Sequence, residues 1–391
     1  MKKAVVYGAG NIGRGFIGRL FYESGYSIAF IDINKELVRM LNQAREYPVR
    51  FAEGGEIIIK NVRAIDGENH DEAAGALAEA DIMAVSVGAD ILKYIMEPVA
   101  SGINKRFSNN NLQPLNIILC ENLIGADKIM RDGVREYINF KNLYDDKIGF
   151  IESSVGAMAP NQTDEMRAGN PLRIVCENYS ALPVNKDGFK GEAPEITGMT
   201  AHAPFDFFIR RKLFIHNLGH AACAYLGSIC GHDYIWQAVR EPYIELIITK
   251  IMQRSALALA KIYHADMLEL NAYLENLIYR FGNKALGDTV NRVGGGLKRK
   301  LSPGDRIAGA YKICLETGVP AHYICLAVAA AVNFNGDKLS GAILDNMLKE
   351  AGSLDLFAGN FTLVKRYDEL IKSGAGIREL FDAVKNDENK A

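Results

Sequence analysis

Charge imbalance, long apolar stretches and paired cysteines are all missing from this chain, and each absence excludes a class of protein. Its 45 basic and 47 acidic residues leave a formal net charge of −2, so the chain carries no basic footprint for nucleic acid. The longest clean apolar run, Ile324 to Val332, falls far short of the roughly 20 residues that a membrane span needs. The opening Met1-Lys2-Lys3-Ala4-Val5-Val6-Tyr7 starts like a secretory leader but meets glycine after a few apolar residues, too early for a signal's apolar core. Six cysteines (Cys120, Cys176, Cys223, Cys230, Cys314, Cys325) are scattered without a C-x-x-C pair. Most stand among apolar neighbours, as the small buried hydrophobes of a reducing compartment do. A cytoplasmic chain is the expectation. Internal repeats and low-complexity tracts are absent too, and only the tail Lys385-Asn386-Asp387-Glu388-Asn389-Lys390 reads as a solvated, fraying end.

What remains is the composition of an ordinary globular protein, 49% hydrophobic and 24% charged, long enough for two or three domains. The first half alternates strand and helix patterns. Ala4 to Tyr7, Ser27 to Ile31, Ile82 to Val85, Asn116 to Leu119 and Ile148 to Ile151 are short apolar runs. Ile12 to Ser24 and Lys35 to Ala44 have helical spacing, and helical or irregular segments separate the later strands. Continuous apolar strands in this arrangement predict a mainly parallel sheet covered on both faces, an α/β Rossmann-like domain over residues 1–200. Five of the 11 prolines fall between Pro160 and Pro204, in a loop-rich stretch with one strand, Leu172 to Cys176. Beyond it strand alternation disappears. Segments 205–229, 242–265, 267–281, 304–317 and 320–333 carry apolar residues at helical spacing, which predicts an all-helical domain over residues 201–391. Ser302-Pro303-Gly304-Asp305 has the form of a helix start, with serine as N-cap and proline in the first turn.

Gly8-Ala9-Gly10-Asn11-Ile12-Gly13 matches G-x-G-x-x-G directly after the first strand. In that pattern the first glycine permits a tight turn, the second lets backbone approach a pyrophosphate, and the third packs helix against strand. The diphosphate then lies at a helix N-terminus, on free N–H groups and the positive end of the dipole. Asp32 closes the second strand, where a carboxylate accepts hydrogen bonds from the adenosine ribose and repels a 2′-phosphate. NAD is therefore the expected cofactor, with Lys35 keeping dual use with NADP open. Ser86-Val87-Gly88 follows the fourth apolar run, and Gly88 reads either as a point of cofactor approach or as a turn glycine.

Oxidation of an alcohol needs a hydride acceptor, a base and donors for the developing alkoxide. No Cys/His/Glu cluster with metal-ligand spacing appears, so no metal is expected. The most suggestive group is Lys212-Leu213-Phe214-Ile215-His216-Asn217-Leu218-Gly219-His220. On an α-helix Lys212 and His220 differ by about 80°, and Asn217 and His220 by about 60°.

On these residues the chain resembles the polyol-specific long-chain dehydrogenases and reductases. The resemblance rests on Tyr7 to Gly18, on the spacing of Lys212, Asn217 and His220, on Cys120-Glu121-Asn122, and on the basic segment Arg292…Arg299-Lys300…Asp305-Arg306. It extends over most of the chain. It implies that Lys212 is the general acid/base, its pKa brought from near 10.4 to about 7–8 by desolvation and nearby positive charge. It implies further that Asn122 and Asn217 form an oxyanion hole and that His220 orients a substrate hydroxyl. Asn122 has a second reading, as the cap of the helix that follows its strand. Arg292, Arg299, Lys300 and Arg306 are the candidates for gripping an anionic or polyhydroxylated substrate, with Lys300 just ahead of the expected helix start at Ser302.

The reaction implied is NAD-linked interconversion of a polyol phosphate and a ketose phosphate, such as mannitol 1-phosphate and fructose 6-phosphate, by a monomer or small homo-oligomer without nucleic-acid or membrane partners. Two departures bear on the substrate. Val155-Gly156-Ala157-Met158-Ala159-Pro160 lacks the acid and arginine that relatives carry there, and Gly295 stands where arginine is usual. The alternatives are a related polyol or fructuronate-type reductase, or a catalytically inactive NAD-binding sensor.

Overall fold

The computed structural model of the chain describes residues 1–334 and 344–390, which fall into two compact units, Met1–Phe205 and Asp206–Ala391.

Strands of the first unit are β1 (Lys2–Tyr7), β2 (Tyr26–Asp32), β3 (Glu46–Phe51), β4 (Glu56–Lys60), β5 (Val62–Asp66), β6 (Ile82–Val85), β7 (Leu115–Leu119), β8 (Ile148–Glu152), β9 (Ile174–Cys176), β10 (Leu182–Asn185) and β11 (Met199–His202). Six of them form one parallel sheet in the order β5-β2-β1-β6-β7-β8. The expected parallel sheet is there, covered on both faces. Ala4 and Val6 of β1 belong to one apolar cluster with Phe16, Leu20, Phe30 and Leu41. Val5 and Tyr7 belong to the other, with Leu77, Val99, Ile103 and Met130. Side chains alternate between faces along a strand, so a run apolar at every position is what two buried faces demand.

Strands β3, β4 and β5 occupy a region expected to be helical or irregular. β3 and β4 pair antiparallel around Gly54 and Gly55, whose φ values are +107° and +93°, and β9 joins β3 in parallel. Pro48 inside β3 and the charged residues flanking it obscured a hairpin that the paired glycines mark.

The second unit is helical among its described residues. Helices Leu218–Ile229 and Pro242–Tyr263 lie against each other and against His322–Val332. Every residue from Tyr323 to Val332 is buried, so the long apolar run is an interior helix. Among the described residues no helix is long and apolar enough to cross a membrane.

Two expectations are corrected here. Residues 301–307 form turns, and the helix expected at Ser302 begins at Ala308; the Ser302 hydroxyl donates to the Arg299 carbonyl at 2.7 Å instead of capping. The C-terminal residues do not fray: helix Ile377–Glu388 is tied down by Arg254, whose Nε donates to Glu388 at 2.8 Å, and by Arg366 on Asp387. Charge complementarity with partners more than 20 positions away is invisible in a run of six polar residues.

Candidate functional site

Order in the parallel sheet reverses at β1, with β2 on one side and β6 on the other, and ligands of open α/β sheets bind beyond the strand ends at such a point. Gly8 leaves β1 there with φ +97°, and a Cβ on it would meet the Ser86 carbonyl oxygen at 2.5 Å. A Cβ on Gly13 would stand 2.0 Å from the Gly8 carbonyl oxygen and 2.8 Å from Ser86 Oγ. Gly10 has open space where its Cβ would be. The loop is thus packed at its first and third glycines and open at its second. Ala9, Asn11 and Ile12 complete the turn; Asn11 Nδ2 donates to the Pro160 carbonyl at 2.8 Å. The helix then starts with a π-turn, Gly13–Ile17.

Sequence reasoning gave Arg14 no role, yet it underpins this loop. Buried beneath it, Nε donates to the Ala9 carbonyl at 2.7 Å and Nη1 to the Leu172 carbonyl at 2.8 Å. Burial lowers its pKa to about 10, against the opposing pull of Tyr47 and Asp32, so a positive charge stays under the turn at neutral pH.

Asp32 lies at the end of β2. Its Oδ2 accepts from Ala9 N at 2.7 Å and its Oδ1 from Asn34 N at 2.9 Å, which fixes the carboxylate beside the loop. Lys35 pairs with acids of the next loop, with Nζ 2.5 Å from Glu68 and 3.7 Å from Asp66. Ser86 Oγ donates to the Gly8 carbonyl at 3.1 Å and joins the two central strand ends. Gly88, exposed with φ +97°, does not offer its N–H outward: Val87 N and Gly88 N both donate to Glu121 Oε1, at 2.8 and 3.0 Å. Glu152, at the end of β8, accepts from Gly125 N at 2.8 Å. Three carboxylates, Asp32, Glu121 and Glu152, therefore each pin the loop of a neighbouring strand. Asn122 lies exposed on the loop between Glu121 and Gly125. It is not a cap, because helix Ala126–Glu136 takes Gly125 as its N-cap.

In the second unit Lys212–Asn217 is a π-turn followed by the α-helix Leu218–Ile229. That changes the helical wheel drawn from sequence. Five residues on an α-helix leave Lys212 and Asn217 about 140° apart. A π-turn closes its hydrogen bonds over five residues and so brings them close to one turn apart, on one side. Lys212, Asn217 and His220 are all partly buried. The His220 ring stacks on Phe281, with centroids 4.8 Å apart and planes at 11°, and its Nε2 is 3.4 Å from Asp288 Oδ2.

His216, between Lys212 and His220, is buried, with Nδ1 lacking a hydrogen-bond partner. Burial first, and then the charges of Arg280, His220, Lys212 and Arg306, hold its pKa well below the usual value. Cations thus converge on this cluster. Protonation of the unfolded chain below about pH 6.5 is not matched in the fold, so stability falls as pH drops from there towards the depressed native pKa. The expected slope is up to about 1.4 kcal/mol per pH unit. Urea unfolding across that range should show it in the natural chain and not in His216→Phe; equal slopes would refute the assignment.

The four basic candidates divide. Arg292 pairs with Asp288, and Arg306 is partly buried with Nε 2.7 Å from Asp305 and its charge felt at His216. Arg299, 66% exposed, stands 3.8 Å from the other oxygen of Asp305. Lys300 is buried, and its amine donates to the Val293 carbonyl. Without a helix start at Ser302, the expected joint grip of Lys300 and helical N–H groups on an anion has no basis. Asp288 was not singled out from the sequence; in Gly287-Asp288 it has the look of a turn residue.

Such a fold with such side chains defines a class, the dehydrogenases that act on CH–OH groups. Residues 2–198 match the family described as "Mannitol dehydrogenase Rossmann domain" and residues 205–356 "Mannitol dehydrogenase C-terminal domain", so the chain belongs to the mannitol dehydrogenase family. It is 36% identical over 342 residues, 86% of each chain, to mannitol-1-phosphate 5-dehydrogenase of Thermoanaerobacter pseudethanolicus. Its fold matches that of Pseudomonas fluorescens mannitol 2-dehydrogenase, solved as a ternary complex with NAD and D-mannitol, with TM-score 0.73 at 14% identity over 98% of this chain and 94% of that one. A D-sorbitol dehydrogenase in substrate-free form gives TM-score 0.78 at 13% identity, over 97% and 94%.

Proposed function

We propose that the chain interconverts a polyol phosphate and a ketose phosphate, mannitol 1-phosphate and fructose 6-phosphate, with NAD as cofactor and Lys212 as general acid/base, without a metal. The observation that carries this reading is the π-turn that brings Lys212 and Asn217 to one side of their helix, with His220 one α-turn further on. The substrate follows the relative of 36% identity, which bears the name of that activity.

The glycine turn holds the diphosphate, with Gly10 as the open position and Arg14 as the charge beneath. Asp32, already anchored by two backbone N–H groups, takes the adenosine ribose and disfavours a 2′-phosphate. NAD supplies the hydride acceptor when bound. Lys212 takes the hydroxyl proton in oxidation and returns it in reduction, while Asn217 and Asn122 donate to the alkoxide. One such donor is typically worth about 2.7–4 kcal/mol in the transition state. His220 orients a neighbouring hydroxyl, and Arg292 and Arg306 are the cations available to an anionic group.

Substrate identity is decided by following NADH with fructose 6-phosphate, fructose and fructuronate in parallel, with a chelator in a duplicate series. Fructose 6-phosphate should be preferred by at least about tenfold, the worth of one charge-assisted contact of roughly 1.5–3 kcal/mol, and chelation should change nothing. Fructose reduced as efficiently as its phosphate would remove the phosphate from the reading, and loss of rate on chelation would remove the metal-free step.

A further inference from the structure

Asp288 has no part in the chemistry assigned so far, yet its surroundings are unusual for a carboxylate. Its side chain is 8% exposed. Burying an ionised carboxylate is costly unless it is paired and hydrogen-bonded. Two partners meet it: His220, whose Nε2 stands 3.4 Å from Oδ2 as a charge contact without hydrogen-bond geometry, and Arg292, whose guanidinium donates to Oδ1. Burial pushes its pKa up, but the nearby His220 and the charge and hydrogen bond of Arg292 outweigh that and hold it below the ordinary aspartate value. The backbone is fixed too. Ile235 N donates to the Asp288 carbonyl at 2.9 Å, Val290 N to the Asp233 carbonyl at 2.8 Å, and Tyr234 and Thr289 form an antiparallel bridge. Thr289 Oγ1 accepts from Arg292 N at 3.2 Å, starting the short helix that carries Arg292.

The geometry points to Asp288 as a positioning residue of the reaction: its carboxylate sets the tautomer and orientation of His220 and, through its second oxygen, the place of Arg292. A carboxylate facing Nε2 favours the proton on that nitrogen, because an anion accepts and cannot donate. Nδ1 is then the unprotonated nitrogen, an acceptor for a substrate hydroxyl. Phe281, stacked on the ring face at 11°, closes off rotation, so edge and face are both constrained. The same carboxylate also limits where a substrate's anionic group finds Arg292, since the guanidinium is held from the side of His220. Two substrate contacts that look independent in the sequence thus share one anchor.

The inference rests on His220 touching substrate in the reaction proposed above, and the test separates the two. Asp288→Asn keeps size and packing but lets either tautomer stand, since an amide both donates and accepts. It should lower kcat/KM for the polyol by about 10- to 100-fold, taking as a guide the loss seen when the outer partner of a metal-bound histidine is removed, with NADH affinity unchanged. Placed on His220→Ala, the same change should have almost no further effect, because a residue acting through another is not additive with it. Full additivity in that cycle would overturn the proposal. The His220 ring nitrogens, read by 15N NMR in the natural chain, should show the Nε2–H tautomer, and a mixture after Asp288→Asn. An Nδ1–H tautomer in the natural chain overturns the proposal even where Asp288→Asn does not fold. The NMR readout is independent of turnover, so an inactive natural chain with Nε2–H at His220 would count against the reaction and leave the Asp288–His220 coupling standing.

Discussion

Lys212→Ala is expected to abolish most turnover while leaving NADH binding within about twofold. General acid/base catalysis contributes about 10²- to 10⁴-fold, and the reaction proposed here assigns the hydroxyl proton to Lys212 alone. The neighbouring histidine at 216 is no substitute: it is buried and its pKa is held well below the usual value, so it neither carries a proton at neutral pH nor reaches solvent to exchange one. Cofactor affinity should be spared because the glycine turn, Asp32 and Arg14 all belong to the other unit. Initial rates with fructose 6-phosphate and fluorescence titration with NADH are the two measurements. An alanine variant as fast as the natural chain would sink the lysine mechanism. A natural chain that binds NADH and reduces no ketose would favour the reading of an inactive NAD-binding sensor.

The second large effect is expected at the glycine turn, and it separates folding from binding. Gly13→Ala forces a Cβ to within 2.0 Å of the Gly8 carbonyl oxygen, itself held by Ser86 Oγ. Backbone has to move, and overpacking of this kind typically costs about 1–3 kcal/mol. Thermal stability should fall, and NADH affinity should drop by at least about 100-fold because the turn is rebuilt. Gly10→Ala meets no atom within 4 Å. It should leave the melting temperature unchanged while weakening NADH binding, since the added methyl occupies the space through which a diphosphate approaches the backbone. Unaltered affinity in Gly10→Ala would mean that the cofactor does not pass over this residue.

The contrast between these two glycines was legible in the sequence, because the motif assigns a different task to each. The strands β1, β2, β6, β7 and β8 were legible for a related reason: a sheet buried on both faces leaves few polar positions to interrupt the apolar run. What the sequence hid were features depending on partners far along the chain. Strand β3 alternates charge and apolar residues around Pro48, and only its pairing with β4 and β9 makes it a strand. The π-turn at Lys212 has no residue signature, so an α-helical wheel misplaces Asn217 by about a quarter of a turn. Asp288 and Glu121 are single acids in turns or strand ends. Their tasks, orienting His220 and binding Val87 and Gly88, exist only once the chain is folded. The tail was misread because Arg254 and Arg366, which hold Glu388 and Asp387, are distant in sequence.

The three carboxylates along the sheet edge carry a consequence for how a cofactor arrives. Asp32, Glu121 and Glu152 fasten the rim crosswise, strand to strand, with acceptors supplied by the protein itself. Little ordering is then left for the incoming molecule to impose, and little of its affinity is spent on stiffening a floppy edge. Recognition at this rim is closer to a key meeting a finished lock than to a glove shaped by the hand.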